Sequence, residues 1–484
     1  MENSDSLKKS AIIVAGGKYA NIACAFIANI ILSRLLTPED FGIIAVVTVF
    51  STFFSLFSDM GFGAGVIQNK NLNRDDENNI FSITIYILLV LCAIFFFLSY
   101  GIAAWYADDV YILVGKLLSL SLMFSTANMI PSAVMMKEKR FVEVGIRSIV
   151  IAVITYSVTI LLAVCGLKYY ALVAQSIISN GVLFLWNWKS SKLRFVFRPK
   201  MSSLRKILSF STYNFLYDLI NYFSRNLDNV LTGKTMGSTA LGFYNKAYTL
   251  MLYPTNYLTN VITPILHPVL SEYQDDKNYI YKQYIKIFKL LLCLGMFFTI
   301  GCFSASNEIV RILYGPQWNE AAKCVHILSW TISVQMVCAS CTSIFRSLGR
   351  TDLRMKSSLI YVPVQIVFIV IGAYSRDIKI LSYWVAVSYL IRFVIEYYYL
   401  IVRAFQYSLM IFIKDIGILL IDYVVLLAFS GILYQKIQIE NYMISFAVKG
   451  LMCTVVYFAV IFISKQQNTL LIILPKKVRD RLCK

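Results

Sequence analysis

Residues 78–102 read NNIFSITIYILLVLCAIFFFLSYGI, with no Asp, Glu, Lys or Arg. About 20 consecutive apolar residues cross a bilayer as a helix, so this stretch reads as a transmembrane span rather than as part of a soluble core. Runs of similar length recur outward from it. Upstream they lie near 11–36 and 41–60. Downstream they lie near 112–134, 145–165, 167–188, 205–232, 241–266, 283–304, 322–346, 354–374, 380–402, 412–434 and 442–463. The expected fold class is therefore an all-α integral membrane protein of about fourteen transmembrane helices. Composition agrees: the 484 residues have a mean hydropathy of +0.67 and only 15% charged residues, against about 25% in a soluble domain. The first run is too long for the core of a signal peptide and lacks a clear small-residue cleavage site, so it reads as a retained span.

The net charge is +19. Nucleic acid is not the expected partner, because the basic residues fall in short loops between apolar runs. One alternating set of loops, with both termini, holds roughly 31 Lys and Arg and the other roughly seven, which places both termini in the cytoplasm. No outer loop exceeds about 20 residues at this span assignment, which leaves no room for an outer soluble domain. The cysteines lie mostly inside apolar runs and read as small buried residues, including the CxxC of Cys338 and Cys341. His267 and His326 are isolated and have no metal-ligand spacing. No metal or cofactor is expected.

An internal repeat appears at an offset of 200: Asn21 matches Asn221, Asn29 matches Asn229, Gly42 matches Gly242, and Arg34 matches Lys234 in charge. The halves share orientation, as in a parallel repeat. The basic stretch KSSKLRFVFRPKMSSL (189–204) is the expected linker. The expected organisation is a six-helix bundle over 1–200, a second over 201–408, and two additional helices with a basic tail over 409–484.

Charge at membrane depth normally faces the protein interior or a wet cavity. In the first span Lys18, Asn21 and Asn29 gather on one face, and in the second Thr48, Ser51, Ser55 and Asp59 form a stripe. In the seventh, Asn214, Asp218, Asn221, Arg225, Asp228 and Asn229 fall within a sector of about 100°. The eighth carries Lys246, Thr249, Tyr253, Asn256, Tyr257 and Asn260. A hydrophilic cavity lined by these faces follows. Its cationic residues Lys18, Arg225 and Lys246 suit an anionic substrate such as a diphosphate. The polar lining would be Asn21, Asn29, Ser55, Asn214, Asn221, Asn229, Asn256 and Asn260. Arg225 equally fits a structural salt bridge, for instance with Asp228 at i+3. Arg392 with Glu396, and Asp422 with Lys449, read as structural pairs, and Lys116 as a residue snorkelling at a span end.

The chain resembles the polysaccharide transporters of the multidrug/oligosaccharidyl-lipid/polysaccharide exporter superfamily, and within it the Wzx-type O-antigen and capsule flippases. The passages that carry the resemblance are SRLLTPEDFGIIA (33–45), DMGFGAGVIQ (59–68), LDNVLTGKTMGSTALGFYNKAY (227–248), ILYGPQW (312–318) and FRSLGRTDL (345–353). The last two spans carry no such motif. The resemblance implies a V-shaped pair of six-helix bundles that alternate access. The substrate would be an undecaprenyl-diphosphate-linked oligosaccharide, taken from the inner leaflet for O-antigen, capsule or exopolysaccharide synthesis. Lys18, Arg225 and Lys246 would take the place of the family's cavity-lining cations. Gly61, Gly63 and Gly65 would permit close packing or a bend, and an ordinary flexible turn fits them as well.

No nucleotide-binding motif is present, since GGK at 16–18 lacks the rest of a P-loop. The drive is then an ion gradient or downstream consumption of product, and Asp59, Asp218 and Asp228 are the candidate coupling sites. Expected partners are the lipid-linked oligosaccharide, membrane lipid and the polysaccharide polymerase machinery. Two rivals stand: a small-molecule or drug antiporter of the same superfamily, and a membrane glycan polymerase, which the short outer loops disfavour. The protein is not expected to be an enzyme.

Overall fold

The structure, a computed structural model, describes residues 2–59, 62–69, 71–259, 263, 266, 270–437 and 439–470. Side chains are described at all of these except 2–15, 18, 58, 59, 64, 208–218, 220, 221, 223, 224, 468 and 470. Regular structure among the described residues is entirely helical. The helices are α1 (Glu2–Leu35), α2 (Pro38–Asp59), α3 (Phe62–Gln68), α4 (Arg74–Tyr106), α5 (Val110–Ala127), α6 (Met129–Lys137), α7 (Phe141–Val164), α8 (Tyr169–Ser191) and α9 (Met201–Pro254). After these come α10 (Lys277–Ser304), α11 (Ser306–Leu313), α12 (Asn319–Leu328), α13 (Thr331–Ser347), α14 (Thr351–Tyr374), α15 (Ile378–Tyr397), α16 (Leu409–Lys436), α17 (Tyr442–Ile463) and α18 (Gln467–Leu470).

Ten helical runs are long and apolar enough to cross a membrane, and counting the bent pair Pro316–Leu328 with Thr331–Ser347, angled at 62°, makes eleven. Their outer faces carry Phe97, Leu161, Val164, Val394 and Ile421, each more than 60% exposed. Lipid, not water, is the solvent that such faces suit. The protein is a multi-pass membrane protein.

Local chemistry explains where the helices start. At α2, Thr37 Oγ1 accepts from the Asp40 amide at 3.2 Å and Asp40 Oδ2 accepts from the Thr37 amide at 2.9 Å. This is a capping box with proline at the first helical position. Asp40 Oδ1 accepts from the Tyr169 amide at 3.1 Å and so anchors the start of α8 as well. Asn73 and Asp76 make the same reciprocal cap at α4. Gly63 and Gly65 lie inside α3, so that stretch is a short helix rather than a loose turn.

The repeat has a structural counterpart. Gly237, with φ 85° and ψ 173°, breaks α9 into two helices. It stands 200 positions after Thr37, in the break between α1 and α2. A Cβ on Gly42 would lie 1.8 Å from the Ser238 carbonyl oxygen, and one on Gly242 would lie 1.8 Å from the Pro38 carbonyl oxygen. At the same offset Ser238 corresponds to Pro38, so the two contacts are one contact made reciprocally.

Packing divides the chain into two compact units, Met1–Gly242 and Phe243–Lys484. The division falls beyond the kink of α9, one helix later than the linker at 189–204. The first half of α9 belongs to the first unit through Tyr222, whose hydroxyl donates to the Val49 carbonyl, and through Tyr106, whose hydroxyl donates to the Val230 carbonyl at 3.0 Å. The linker itself lies along α4. Asn78 Oδ1 accepts from the Arg194 amide at 2.8 Å, Ser82 Oγ from the Val196 amide at 2.8 Å, and Asn79 Oδ1 from the Lys200 amide at 3.1 Å. Tyr86 donates to the Phe197 carbonyl at 2.8 Å. Side chains of α4 thereby replace the strand partner that an extended backbone would otherwise need.

In the second unit Tyr284 bonds Tyr397 at 2.7 Å and Ser340 at 3.1 Å. Cys338 and Cys341 are buried and free; the other cysteines among the described residues are also free, with Cys293, Cys324 and Cys453 buried, Cys24, Cys92 and Cys302 half-buried and Cys165 exposed. Arg392 pairs with Glu396 at 3.2 Å as the spacing predicts. Lys116 donates to the Tyr100 hydroxyl at 2.6 Å. The expected pairing of Asp422 with Lys449 is not found. Lys449 instead meets Glu308 at 2.6 Å, and Ser445 donates to the same carboxylate oxygen at 2.6 Å. The amphipathic α11, between two spans, carries Glu308 to Lys449, and one Asp422 oxygen stays buried without a hydrogen-bond partner.

Candidate functional site

The first unit contains a cavity of about 170 Å³ between α2, α5 and α8. Thr48, Ser51, Thr52 and Ser55 of α2 line it, opposite Ser121 and Ser125 of α5 and Ser176 and Asn180 of α8. Asn180 donates to the Ser121 hydroxyl at 2.9 Å. The α2 stripe seen in the sequence thus faces a neutral, hydroxyl-rich space that can exchange hydrogen bonds with water or a polyhydroxylated group. The α5 and α8 residues were missed. Their signal was available as two polar pairs at i,i+4, Ser121 with Ser125 and Ser176 with Asn180.

The remaining first-unit residues are distributed as follows. Asn21 donates to the Ser148 carbonyl of α7 at 3.2 Å. Gly17 meets Gly145, with an added Cβ 2.7 Å from the Gly145 carbonyl oxygen. These two contacts make α1 cross α7 closely, so Gly17 serves helix packing. Asn29 accepts from Ser33 Oγ, which approaches its carbonyl at 2.5 Å. Arg225 is exposed, whereas Asp228 and Asn229 are buried, with Asp228 Oδ1 accepting from the Asn229 amide at 2.8 Å. The side chains of Lys18, Asp59, Asn214, Asp218 and Asn221, and residues Asn260 and His267 altogether, lie outside the described residues.

Arg147, one of the roughly 31 cations counted above with the basic loops, lies within α7 and is buried at 4% exposure. Its Nη1 reaches only Met135 Sδ, at 3.3 Å, and its Nε has no hydrogen-bond partner. The signal was positional: Arg147 falls almost two turns into α7, beyond where a loop residue would stand.

In the second unit Lys246 is buried, its ammonium 4.9 Å from the Tyr314 ring centre and 5.4 Å from that of Trp318. The charge is held against two aromatic faces by cation–π attraction, which is strongest where water is excluded. Tyr314 and Trp318 pack edge to face at 6.0 Å, and Gly315 between them takes φ 104°, a left-handed turn that glycine adopts freely. Two of the sequence passages, 227–248 and 312–318, therefore meet at one lysine. Asn256 is exposed, in the π-helical turn Thr255–Thr259.

A family model described as "Polysaccharide biosynthesis protein" matches residues 31–323. The chain belongs to the polysaccharide biosynthesis protein family. The match takes in α2, the reciprocal glycine contact and the Lys246 site, and ends within α12. Proteins similar to this one include the lipopolysaccharide biosynthesis protein WzxC of Escherichia coli, 22% identical with 74% of this chain and 75% of that one covered. Another is the teichuronic acid biosynthesis protein TuaB of Bacillus subtilis, 22% identical over 70% and 72%. Among solved structures, this family member is similar to the lipid II flippase MurJ in an inward closed conformation. The TM-score is 0.75 at 14% identity, covering 94% of this chain and 99% of that one. It is also similar to an inward-facing multidrug resistance MATE family transporter of the MOP superfamily, with a TM-score of 0.63 at 12% identity, covering 78% and 93%. The fold is that of an all-α membrane transporter.

Proposed function

We propose that this polysaccharide biosynthesis protein moves undecaprenyl-diphosphate-linked oligosaccharide repeat units from the inner to the outer leaflet of the bacterial plasma membrane. The observation that carries the reading is the family match over 31–323, set on a fold similar to that of a lipid flippase. In this reading the membrane is crossed fourteen times. The apolar part of α1 and the two halves of α9 join the eleven runs already counted. Two six-helix bundles, 1–200 and 201–408, rock about a central cavity. The segment 409–484 adds a helix pair and a cytoplasmic tail. The diphosphate meets Lys18, Arg225 and Lys246. Asn and Ser side chains meet the sugars, and Asp59, Asp218 and Asp228 serve ion coupling. The polysaccharide polymerase machinery receives the product. Lys246 in its aromatic box is a charge stored between transport steps, released to the substrate as the cavity opens.

Deleting the gene and scoring which leaflet of spheroplasts holds the lipid-linked glycan tests this. The expected result is a complete diphosphate-linked repeat unit accumulating on the inner leaflet, with surface polymer lost. Complementation by Lys18→Ala or Lys246→Ala should restore at least tenfold less flipping than wild type, about the weight of one charge-assisted phosphate contact. Unpolymerised units on the outer leaflet would point to a polymerase and sink the proposal. Normal surface glycan would move the assignment to a small-molecule antiporter, which the similarity to the MATE fold accommodates.

A further inference from the structure

Two adjoining cavities open at the ends of α6, α7 and α8, with volumes of about 650 Å³ and 520 Å³. Arg140 and Trp186 line both. Lys139, Lys189 and Lys192 ring them, all exposed. Below this collar the walls turn apolar, with Val142 and Ile146 on α7 and Val182 and Leu185 on α8. Ile146 is 52% and Leu185 55% exposed, so the apolar wall faces the surroundings rather than the core.

The charges do not cancel. Arg140 is held by Glu143 and donates to the Ser190 carbonyl at 2.6 Å, with Glu138 a further 3.7 Å neighbour. Glu143 also accepts from Ser190 Oγ. The three lysines make no ion pair among the described residues. The groove therefore presents three unmatched cations at its rim, an indole beside them and a hydrocarbon wall beneath.

The Arg140–Ser190 bond puts the 137–140 and 189–204 loops on the same side of the membrane. Both belong to the basic set assigned to the cytoplasm. A rim of lysines with a tryptophan at the interface and an apolar wall running into the bilayer matches one ligand: an anionic phospholipid, its phosphate at the rim and an acyl chain along the wall.

We infer that the groove at Arg140 and Trp186 is a binding site for the phosphate headgroup of an anionic inner-leaflet phospholipid. The site is separate from the transport cavity, and its occupancy is read without any transport.

The full-length protein, purified in neutral detergent, is titrated with phosphatidylglycerol and with phosphatidylcholine of identical acyl chains. Binding is followed by native mass spectrometry and by the melting temperature. Phosphatidylglycerol should bind and raise the melt, and phosphatidylcholine should not. Each lysine changed to glutamine should weaken phosphatidylglycerol by roughly fivefold, and Lys139→Gln, Lys189→Gln and Lys192→Gln together by on the order of 100-fold. Arg194→Gln with Arg198→Gln, on the nearby linker, should leave it unchanged. Should that linker variant weaken binding as much as the lysine variant, the effect is general surface charge and the site is refuted. Equal binding of the two lipids, or no loss in the lysine variant, also refutes it. Undecaprenyl diphosphate displacing phosphatidylglycerol from these lysines with higher affinity would make the groove a substrate entry point and overturn the assignment to bulk lipid. If any variant fails to fold, Leu185→Arg, which blocks the apolar wall and leaves the lysines in place, must abolish phosphatidylglycerol binding for the inference to stand.

Discussion

Gly42 and Gly242 illustrate how much a single missing side chain can decide. At each, a Cβ would overlap a backbone carbonyl at 1.8 Å, and a backbone cannot rotate away as a side chain can. Gly42→Ala and Gly242→Ala should each destabilise the full-length protein by about 1–3 kcal/mol or more, the range of overpacked cores. Gly16→Ala, where nothing lies within 4 Å, should melt with wild type. Thermal melts of the three variants in one detergent check this, and a wild-type melt for Gly42→Ala would show that the helices do not meet so closely. The two glycines were visible in the sequence as a repeat pair, but their contact was not, because a repeat gives correspondence and not proximity. Lys246 is similar. Its place in a span marked it as a buried charge, yet the rings of Tyr314 and Trp318 come from the connection after α11, about 70 residues on, and only the fold brings them together.

At the scale of elements, two connections prove less passive than their composition suggests. The 189–204 segment reads as a basic linker, but α4 holds its backbone by Asn78, Asn79 and Ser82. Asn78→Ala with Asn79→Ala should orphan two amides at about 1–3 kcal/mol each if they remain buried. Trypsin should then cut at Arg194 or Lys200 several-fold faster in inside-out vesicles, while an unchanged cleavage rate would mean the segment is held by other means. The second connection is Glu308 of α11 with Lys449 of α17. Glu308→Gln or Lys449→Met alone should cost about 3–5 kcal/mol, because each strands a buried charge, and the double variant should recover most of that loss. A double-mutant cycle of melts measures it, and additive losses would rule out direct pairing. Depth within neighbouring spans pairs Lys449 with Asp422. A short amphipathic helix between two other spans brings the Glu308 carboxylate nearer, and depth along a span carries no trace of that.

For the whole molecule, the apolar runs were legible because a span must satisfy its backbone internally and cover its surface with hydrocarbon, and both demands are written locally. The division into packed units was less legible, since the first half of α9 is bound to Met1–Gly242 by Tyr222 and Tyr106, residues with no distinctive pattern. Orientation is open to direct test. Alkaline phosphatase fused after Glu440, in an outer loop by the charge asymmetry, should be active, and a fusion after Arg350 inactive. The reverse pattern would invert the topology. The reciprocal contact of Gly42 with Ser238 and Gly242 with Pro38 has one more consequence. A surface that meets its own copy this way is isologous, the kind on which two identical chains close into a dimer. A half-length ancestor carrying one helix–break–helix unit could have paired with a second copy of itself through this contact before any duplication. Fusing two such units would need only a tether. Because each glycine meets backbone and not a side chain, no side-chain change on the opposite half can relieve a substitution at Gly42 or Gly242.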